Sequence, residues 1–485
     1  MNQNILLVEP KFPTRTRSKN HKNFLPIGLL KLFSYYKKDK TNKVELVQGN
    51  SFPTKFKTPS RIEITSLFTY WSEFVWDAVK FYRNNYPNPN KTEIRLGGIY
   101  ASLHYEKQDF QEKCKEYSVT PVIGVQEHVE KLFPAYDELE CPIDYQIIHL
   151  SRGCNRKCSF CGTWILEPEF KGEKSVRPLI ESGLKKGIKN LVFYDNNFFY
   201  NPHIENILNE LIELKHSRKI GWCESQSGFD GRILLEKPHF AQLIKKAGFR
   251  YPRLAWDGKY NKHSKIKKQI DILKKAGYNL RDIFVFMIYN WDLDFKEMEK
   301  KRIKCWNWKV QISDCRNRPL TQLYDNYKPL RDQNETNEYH INSNWTDAEV
   351  KQFRKNIRRQ NICIRQNISC HSKLLEVKKH YTKEQRTIIM AMQTHEIKKY
   401  LPDLWFPDNI TNPKDRYKWS VEKRTKPDIP FIIPCTLTHT MNTISTINIH
   451  DYGIQNCKPL LWCMSNSDTG SVQKCSQMLT EKINL

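Results

Sequence analysis

The chain has 485 residues, 39% of them hydrophobic and 12% aromatic, enough to build the cores of two or three domains of about 100–200 residues each. Fourteen cysteines are too few for a disulfide scaffold, and no apolar run reaches the ~18 residues that a spanning helix needs, so no membrane partner is expected. The formal charge is +26, from 79 basic and 53 acidic residues, and it favours phosphate-rich partners such as RNA. The lysines are spread along the chain, however, so a codon bias toward Lys, Asn and Ile explains the charge equally. Met1-Asn-Gln-Asn-Ile-Leu-Leu-Val8 lacks the basic start and the long apolar run of a secretory signal. The expected location is the cytoplasm, where reducing conditions suit free thiols.

Residues 4–8 read as a strand stopped at Glu9-Pro10. A helix is predicted over 24–36, with Pro26 suited to its first turn and apolar residues at helical spacing. Strands at 44–47, 62–67, 93–96 and 122–124, with a helix at 73–85, continue the alternation. This predicts a Rossmann-like, doubly wound parallel sheet over residues 1–135. Ligands of such sheets sit beyond the strand C-termini. The turns there are Glu9-Pro10, Phe68-Thr69, Gly97-Gly98 and Gly124. Residues 136–144 read as a short acidic linker.

A strand at 145–150 leads into Ser151-Arg-Gly-Cys-Asn-Arg-Lys-Cys-Ser-Phe-Cys-Gly-Thr163. Cys154, Cys158 and Cys161 stand there at C-x3-C-x2-C spacing. Three thiolates on one short loop can hold three irons of a cubane iron–sulfur cluster, which normally takes four Cys ligands. With three, one iron keeps an open position for a small molecule, as catalytic zinc sites do. The alternatives are three unrelated cysteines or a zinc knuckle, and a knuckle wants a fourth Cys or His at similar spacing; the nearest downstream is His203.

This stretch resembles the radical S-adenosylmethionine (SAM) superfamily. The resemblance implies a 4Fe–4S cluster on the three cysteines, with the SAM amino and carboxylate groups on the open iron. It also implies one-electron cleavage of SAM to a 5′-deoxyadenosyl radical that abstracts a hydrogen atom. An electron donor such as flavodoxin or ferredoxin is then expected, and Phe160 lies where the family packs an aromatic against the SAM adenine.

Helices at 176–187, 202–215, 232–247, 263–276 and 294–304 alternate with strands at 190–195, 220–225, 253–256, 282–288 and 308–312. Over 145–330 this layout is similar to the open, partial (β/α)6 barrel of radical SAM domains, in which chemistry lies at the strand C-terminal ends. Asp195, Asn196 and Asn197 follow the second strand and can receive the SAM ammonium. Ser225 and Gln226 follow the third, near the position the family gives to the SAM ribose and carboxylate. Arg232 resembles a family arginine that could hold the carboxylate. Each has an alternative: Asp195 to Asn197 could cap the next helix, and Arg232 could be a solvated first-turn residue. Asp257 follows the fourth strand and Ser313-Asp-Cys315 the sixth. The ends at Ala255-Trp-Asp-Gly258 and Met287-Ile-Tyr-Asn-Trp-Asp292 depart from the family's patterns. Cys223 and Cys315 are open to two readings, a relay or methyl-carrier thiol and an ordinary buried cysteine.

Three N-terminal pieces, Leu25-Pro-Ile-Gly-Leu-Leu30, Gly97-Gly-Ile-Tyr-Ala-Ser-Leu103 and Gly124-Val-Gln-Glu-His-Val-Glu-Lys-Leu132, resemble the cobalamin-binding domain that precedes many radical SAM domains. That resemblance places Gly97, Gly98 and Gly124 against cobalamin. Gln126 replaces the second glycine of the family's Gly-x-Gly-Glu, and the histidine motif that ligates cobalt from below is absent. The alternatives are a domain that no longer binds cobalamin, and glycines that merely permit tight turns.

Residues 331–435 read as a mainly helical and irregular extension, with helices at 346–360 and 383–400 and a proline-rich stretch at 402–434. Residues 436–485 carry little charge and suggest an appendage or a poorly ordered tail. Cys363, Cys370, Cys435, Cys457, Cys463 and Cys475 match no ligand spacing, and an auxiliary cluster there is only an alternative. The combined expectation is a radical SAM enzyme acting on a small molecule or natural product. If cobalamin binds, the reaction is methylation of an unactivated carbon or phosphorus; otherwise it is a rearrangement, cyclisation or other radical modification. One alternative is a tRNA-modifying, methylthiotransferase-like enzyme, which fits the charge but lacks an RNA module. The other is a non-catalytic cobalamin or SAM sensor, which would need no redox cluster.

Overall fold

The computed structural model describes residues 3–13, 25–139, 143–334 and 338–366. The N-terminal elements are β1 (Asn4–Glu9), α1 (Ile27–Tyr36), β2 (Lys43–Gln48), β3 (Arg61–Ser66), α2 (Ser72–Asn85), β4 (Glu93–Gly98), α3 (Ile99–His104), α4 (Gln108–Glu116), β5 (Val119–Val122) and α5 (Glu127–Glu130). The five strands form one parallel sheet in the order β2-β1-β3-β4-β5. The reason is visible in β1, where Ile5, Leu6, Leu7 and Val8 are all fully buried. A continuous apolar run suits a strand covered on both faces. Leu6 and Val8 pack with Val75, Val79 and Tyr82 of α2, while Ile5 and Leu7 pack with Leu29, Phe33 and Tyr36 of α1.

Two features of this region differ from the sequence reading. The last strand ends at Val122 instead of beginning there. It is an edge strand, so it tolerates Pro121, and only Val119 is buried. Helix α4 escaped the periodicity because Phe110 and Cys114 are its only buried residues.

The remaining elements are β6 (Tyr145–Ile148), β7 (Ser151–Arg152), α6 (Thr163–Leu166), β8 (Lys171–Gly172), α7 (Arg177–Lys185), β9 (Asn190–Phe193), α8 (Ile204–His216), β10 (Cys223–Ser225), α9 (Gly231–Glu236), α10 (Phe240–Lys246), β11 (Arg253–Ala255), α11 (His263–Lys275), β12 (Phe284–Tyr289), α12 (Phe295–Asn307), β13 (Gln311–Arg316) and α13 (Asp347–Gln366). β6, β9 and β10 pair in parallel, as do β12 and β13. The chain is therefore an α/β protein with parallel sheets.

Compactness divides the described residues into two units. One holds those up to Ala255 together with Lys268–Tyr278 and Asn317–His340. The other holds Trp256–Lys267, Asn279–Arg316 and those from Ile341 onward.

The helix expected over 232–247 is two helices, α9 and α10, because Pro238 cannot continue the first. The strand expected at 308–312 starts only at Gln311, since Trp308 still caps α12 and Lys309 turns with φ +58°. Ser313, Asp314 and Cys315 consequently lie inside β13, not beyond it. α13 is longer than expected and opens on a capping box: Thr346 N donates to Glu349 Oε2 at 2.8 Å and Glu349 N to Thr346 Oγ1 at 3.3 Å. The helix expected at 383–400, the 402–434 stretch, the 436–485 tail and Cys370, Cys435, Cys457, Cys463 and Cys475 lie outside the described residues. Among the described residues, no helix is long and apolar enough to cross a membrane.

Candidate active site

The cysteine loop is closed at its base by a feature the sequence did not announce. Ser151 and Arg152 pair antiparallel with Gly172 and Lys171, so β7 and β8 form a two-residue ribbon. Gly153 leaves this ribbon at φ +77°, and a Cβ there would stand 2.4 Å from Glu169 O. Only glycine fits. Its N–H donates to Glu167 Oε2 at 2.6 Å, and Glu167 Oε1 accepts Arg152 Nη1 at 3.1 Å. We expect Gly153→Ala to destabilise the protein by about 1–3 kcal/mol. Thermal unfolding checks this, and an unchanged midpoint would refute the steric account.

Cys154, Cys158 and Cys161 form no disulfide and are half-exposed on this loop. Backbone N–H groups point at two of the sulfurs, Arg156 N at Cys154 Sγ (3.3 Å) and Thr163 N at Cys161 Sγ (3.5 Å). Cys161 N donates to Cys158 O at 3.0 Å, which folds the last two cysteines onto one turn. Among the described residues, no three Cys, His, Asp or Glu side chains converge on one ion position. A cubane makes a different demand, one thiolate on each of three irons, and this donor set meets it.

Asp195, two residues past β9, is fully buried. Its Oδ1 accepts Ser151 Oγ at 2.7 Å, while its Oδ2 is buried without a hydrogen-bond partner. Burial pushes its pKa up to about 7, and the Ser151 hydroxyl only partly offsets this. Asn197 is also buried, and its Oδ1 likewise lacks a partner. Its Nδ2 donates to Asn155 Oδ1 at 3.1 Å and to Asp230 Oδ2 at 3.2 Å.

Asp230 is the N-cap of α9, taking Arg232 N on Oδ1 at 2.9 Å. Its Oδ2 also takes Arg156 Nε at 3.1 Å and Nη2 at 3.0 Å. Burial alone would raise this carboxyl; the Arg232 N–H and the Arg156 guanidinium outweigh it and hold the pKa below the ordinary value. Two residues inside the cysteine motif, Asn155 and Arg156, are thus tied to the chain beyond β9 and β10. Asp230→Ser keeps a capping oxygen but removes the acceptor for Arg156. We expect near-native thermal stability with reduced cluster loading, read as iron and sulfide content. Full loading in that variant would count against the clamp.

The other expected residues separate into groups. Asn196 is exposed and braces the loop, with Oδ1 near Thr163 Oγ1 (3.2 Å) and Nδ2 on Glu167 Oε2 (3.1 Å). Ser225 shapes a turn, its Oγ donating to Gly228 O at 2.9 Å. Gln226 and Phe160 are half-buried, while Arg232 is exposed and reaches Asp230 through its backbone N–H. Gly97 and Gly98 end β4 and Gly124 follows β5, at the C-terminal edge of the N-terminal sheet. Cys223 is fully buried, and burial pushes its thiol up to about 12, which fits a structural cysteine. Cys315 is exposed on β13, and Cys363 is buried in α13. Reading for motifs missed Ser151, Arg156, Glu167 and Asp230; only Asp230 carried a readable signal, as a carboxylate just before a helix.

A cavity of about 580 Å³ opens beside the ribbon, lined among others by Lys31, Glu130, His149, Arg152, Glu167 and Lys171. Glu130 takes Arg152 Nη2 and pairs with Lys31 Nζ at 3.1 Å. Burial, with Arg152 and Lys31 nearby, lowers the pKa of His149 well below the ordinary value, so its imidazole is neutral.

Residues 148–299 match the family described as Radical SAM superfamily. Residues 148–299 are a radical SAM domain. Domains of this family carry a 4Fe–4S cluster and SAM. The solved structure of the apo, SeMet-labeled cobalamin-dependent S-adenosylmethionine radical enzyme OxsB is similar at a TM-score of 0.42 and 11% identity, over 100% of this chain and 79% of that one. No curated protein matches this chain.

Proposed function

We propose that the enzyme cleaves SAM reductively at a cluster held by Cys154, Cys158 and Cys161, with Asp195 and Asn197 receiving the SAM ammonium. The reading rests on two buried acceptors without partners, Asp195 Oδ2 and Asn197 Oδ1, reached from the cysteine motif through Ser151 and Asn155. A buried unpaired acceptor is costly, and a ligand that brings a donor removes the cost. When bound, the cluster supplies the electron that splits SAM. Asp195, anchored by Ser151, presents its carboxylate to the cation. Asn197, Asp230 and Arg156 hold the loop in register with that carboxylate. The family resemblance would put Phe160 against the adenine, Gln226 near the ribose and Arg232 near the SAM carboxylate, while Ser225 shapes the turn by donating to Gly228 O.

The cavity beside the ribbon has the size of a small-molecule site, and its lining of both charges suits a polar substrate. A flavodoxin or ferredoxin would deliver the electron. Methyl transfer through cobalamin is the finer reading suggested by the N-terminal sheet. The +26 charge favours a second substrate class, RNA; RNA retention that falls steeply with salt would support it. The central reading is tested by anaerobic reconstitution with dithionite and SAM. 5′-Deoxyadenosine is expected, and its absence from cluster-loaded protein would refute SAM cleavage.

A further inference from the structure

In the N-terminal sheet the strand order reverses between β1 and β3, and parallel sheets take ligands beyond the strand ends at such a point. In this chain the position is already filled. Phe12, just past β1, is 7% exposed and stacks on Trp71, 9% exposed, with ring centroids 5.4 Å apart. Phe68, just past β3, meets Trp71 edge-on at 5.1 Å and stacks on Tyr70 at 5.0 Å.

Residues 317–325 lie over these rings. The Arg318 guanidinium sits 4.4 Å from the centroid of the Tyr70 ring and pairs with Asp325 at 2.6 Å. Ser72 Oγ donates to Leu323 O at 3.0 Å, and His104 Nε2 donates to Leu320 O at 3.0 Å. The Leu323 side chain packs against the core that contains Val8, Ile64 and Trp71. Three contacts from the sequence following β3 and β4, with the packing of Leu323 on the core, therefore hold one segment in place.

Gly98 adds a separate observation. It has φ +107°, and a Cβ would stand 2.1 Å from Ser66 O. The glycine is required by the neighbouring strand's own backbone, so its presence needs no cofactor to explain it. Gly124 N is likewise satisfied within the chain, donating to Ser102 Oγ at 3.0 Å.

We infer that the occupant of this crevice is the chain's own 317–325 segment, and that the N-terminal domain does not hold cobalamin. A planar corrin ring placed there would have to part Tyr70 from Arg318 and break the Ser72 and His104 hydrogen bonds to the segment. The aromatic rings do what a bound cofactor does in a related sheet: they fill the crevice and complete the core. The reaction then narrows to radical chemistry without a cobalt methyl carrier. This inference stands apart from the SAM reading, because its test measures binding in the absence of SAM.

The test uses the full-length protein with its cluster reconstituted anaerobically. It is incubated with hydroxocobalamin or methylcobalamin, desalted, and read for corrinoid absorbance. Hydrogen exchange across 317–325 is followed with and without the corrinoid. The expected result is no corrinoid above background and identical, slow exchange in the segment. Stoichiometric corrinoid on the desalted protein would overturn the inference, as would faster exchange in 317–325 on adding cobalamin. SAM cleavage is assayed separately, so either idea can fail alone.

Discussion

Cys154→Ala, Cys158→Ala and Cys161→Ala are each expected to lose the cluster and all SAM cleavage. In the proposed site every one of these thiolates is the sole protein ligand of its iron, so a single change leaves one corner without a ligand. Among the described residues the other cysteines are Cys114, Cys223, Cys305 and Cys363, which are buried, and Cys315, which is exposed on β13. The fold should survive, because all three cysteines are half-exposed and none belongs to the buried core. The measurement is iron and sulfide content with the visible absorbance after reconstitution, alongside circular dichroism. Native dichroism without a cluster is the expected pair of results. A variant that keeps full iron content would show that its cysteine is not a ligand.

Asp195→Asn is expected to move two quantities in opposite directions. The carboxyl has an ordinary value of 3.8 and a folded value of about 7, raised by burial. Its contribution to stability is therefore fully present below 3.8 and is lost as the pH rises through about 7. The asparagine carries no charge to bury. At pH 8 the ligand-free variant should be more stable than wild type by up to a few kcal/mol, and near pH 4 the difference should shrink.

Binding should change the other way. A SAM ammonium beside Asp195 favours the ionised carboxylate, so wild-type affinity should rise between pH 6 and pH 8. Removing one charge-assisted hydrogen bond costs about 1.5–3 kcal/mol, or roughly 10- to 150-fold in Kd. Thermal unfolding of the apo protein and SAM titration of the reconstituted protein read the two effects. A stabilised variant with unchanged SAM affinity would leave Asp195 as a buried structural residue and nothing more. The same trade between stability and ligand binding is common at functional sites.

How far the sequence could be read depended on the range of the interactions involved. The spacing of Cys154, Cys158 and Cys161 is local and chemical, so it was legible at once. The parallel sheets were legible too, because runs such as Ile5 to Val8 can be buried only between two layers. Asp195, Asn196 and Asn197 looked alike in the sequence, as three polar residues after a strand. The fold separates them: Asp195 and Asn197 turn inward with unpartnered acceptors, while Asn196 stays exposed and braces Thr163 and Glu167. Strand β5 and helix α4 were misread or missed because edge position and a polar composition leave little periodicity.

The sequence by itself determined the cluster chemistry and the alternation of strands and helices, since both follow from neighbours a few residues apart. Only the tertiary structure decided how the cysteine loop is held and what fills the N-terminal crevice. Arg156 and Asp230 are 74 positions apart, and Ser72 and Leu323 are 251 apart. No local propensity encodes such pairs; they form because a buried polar group must find its partner wherever the fold brings one.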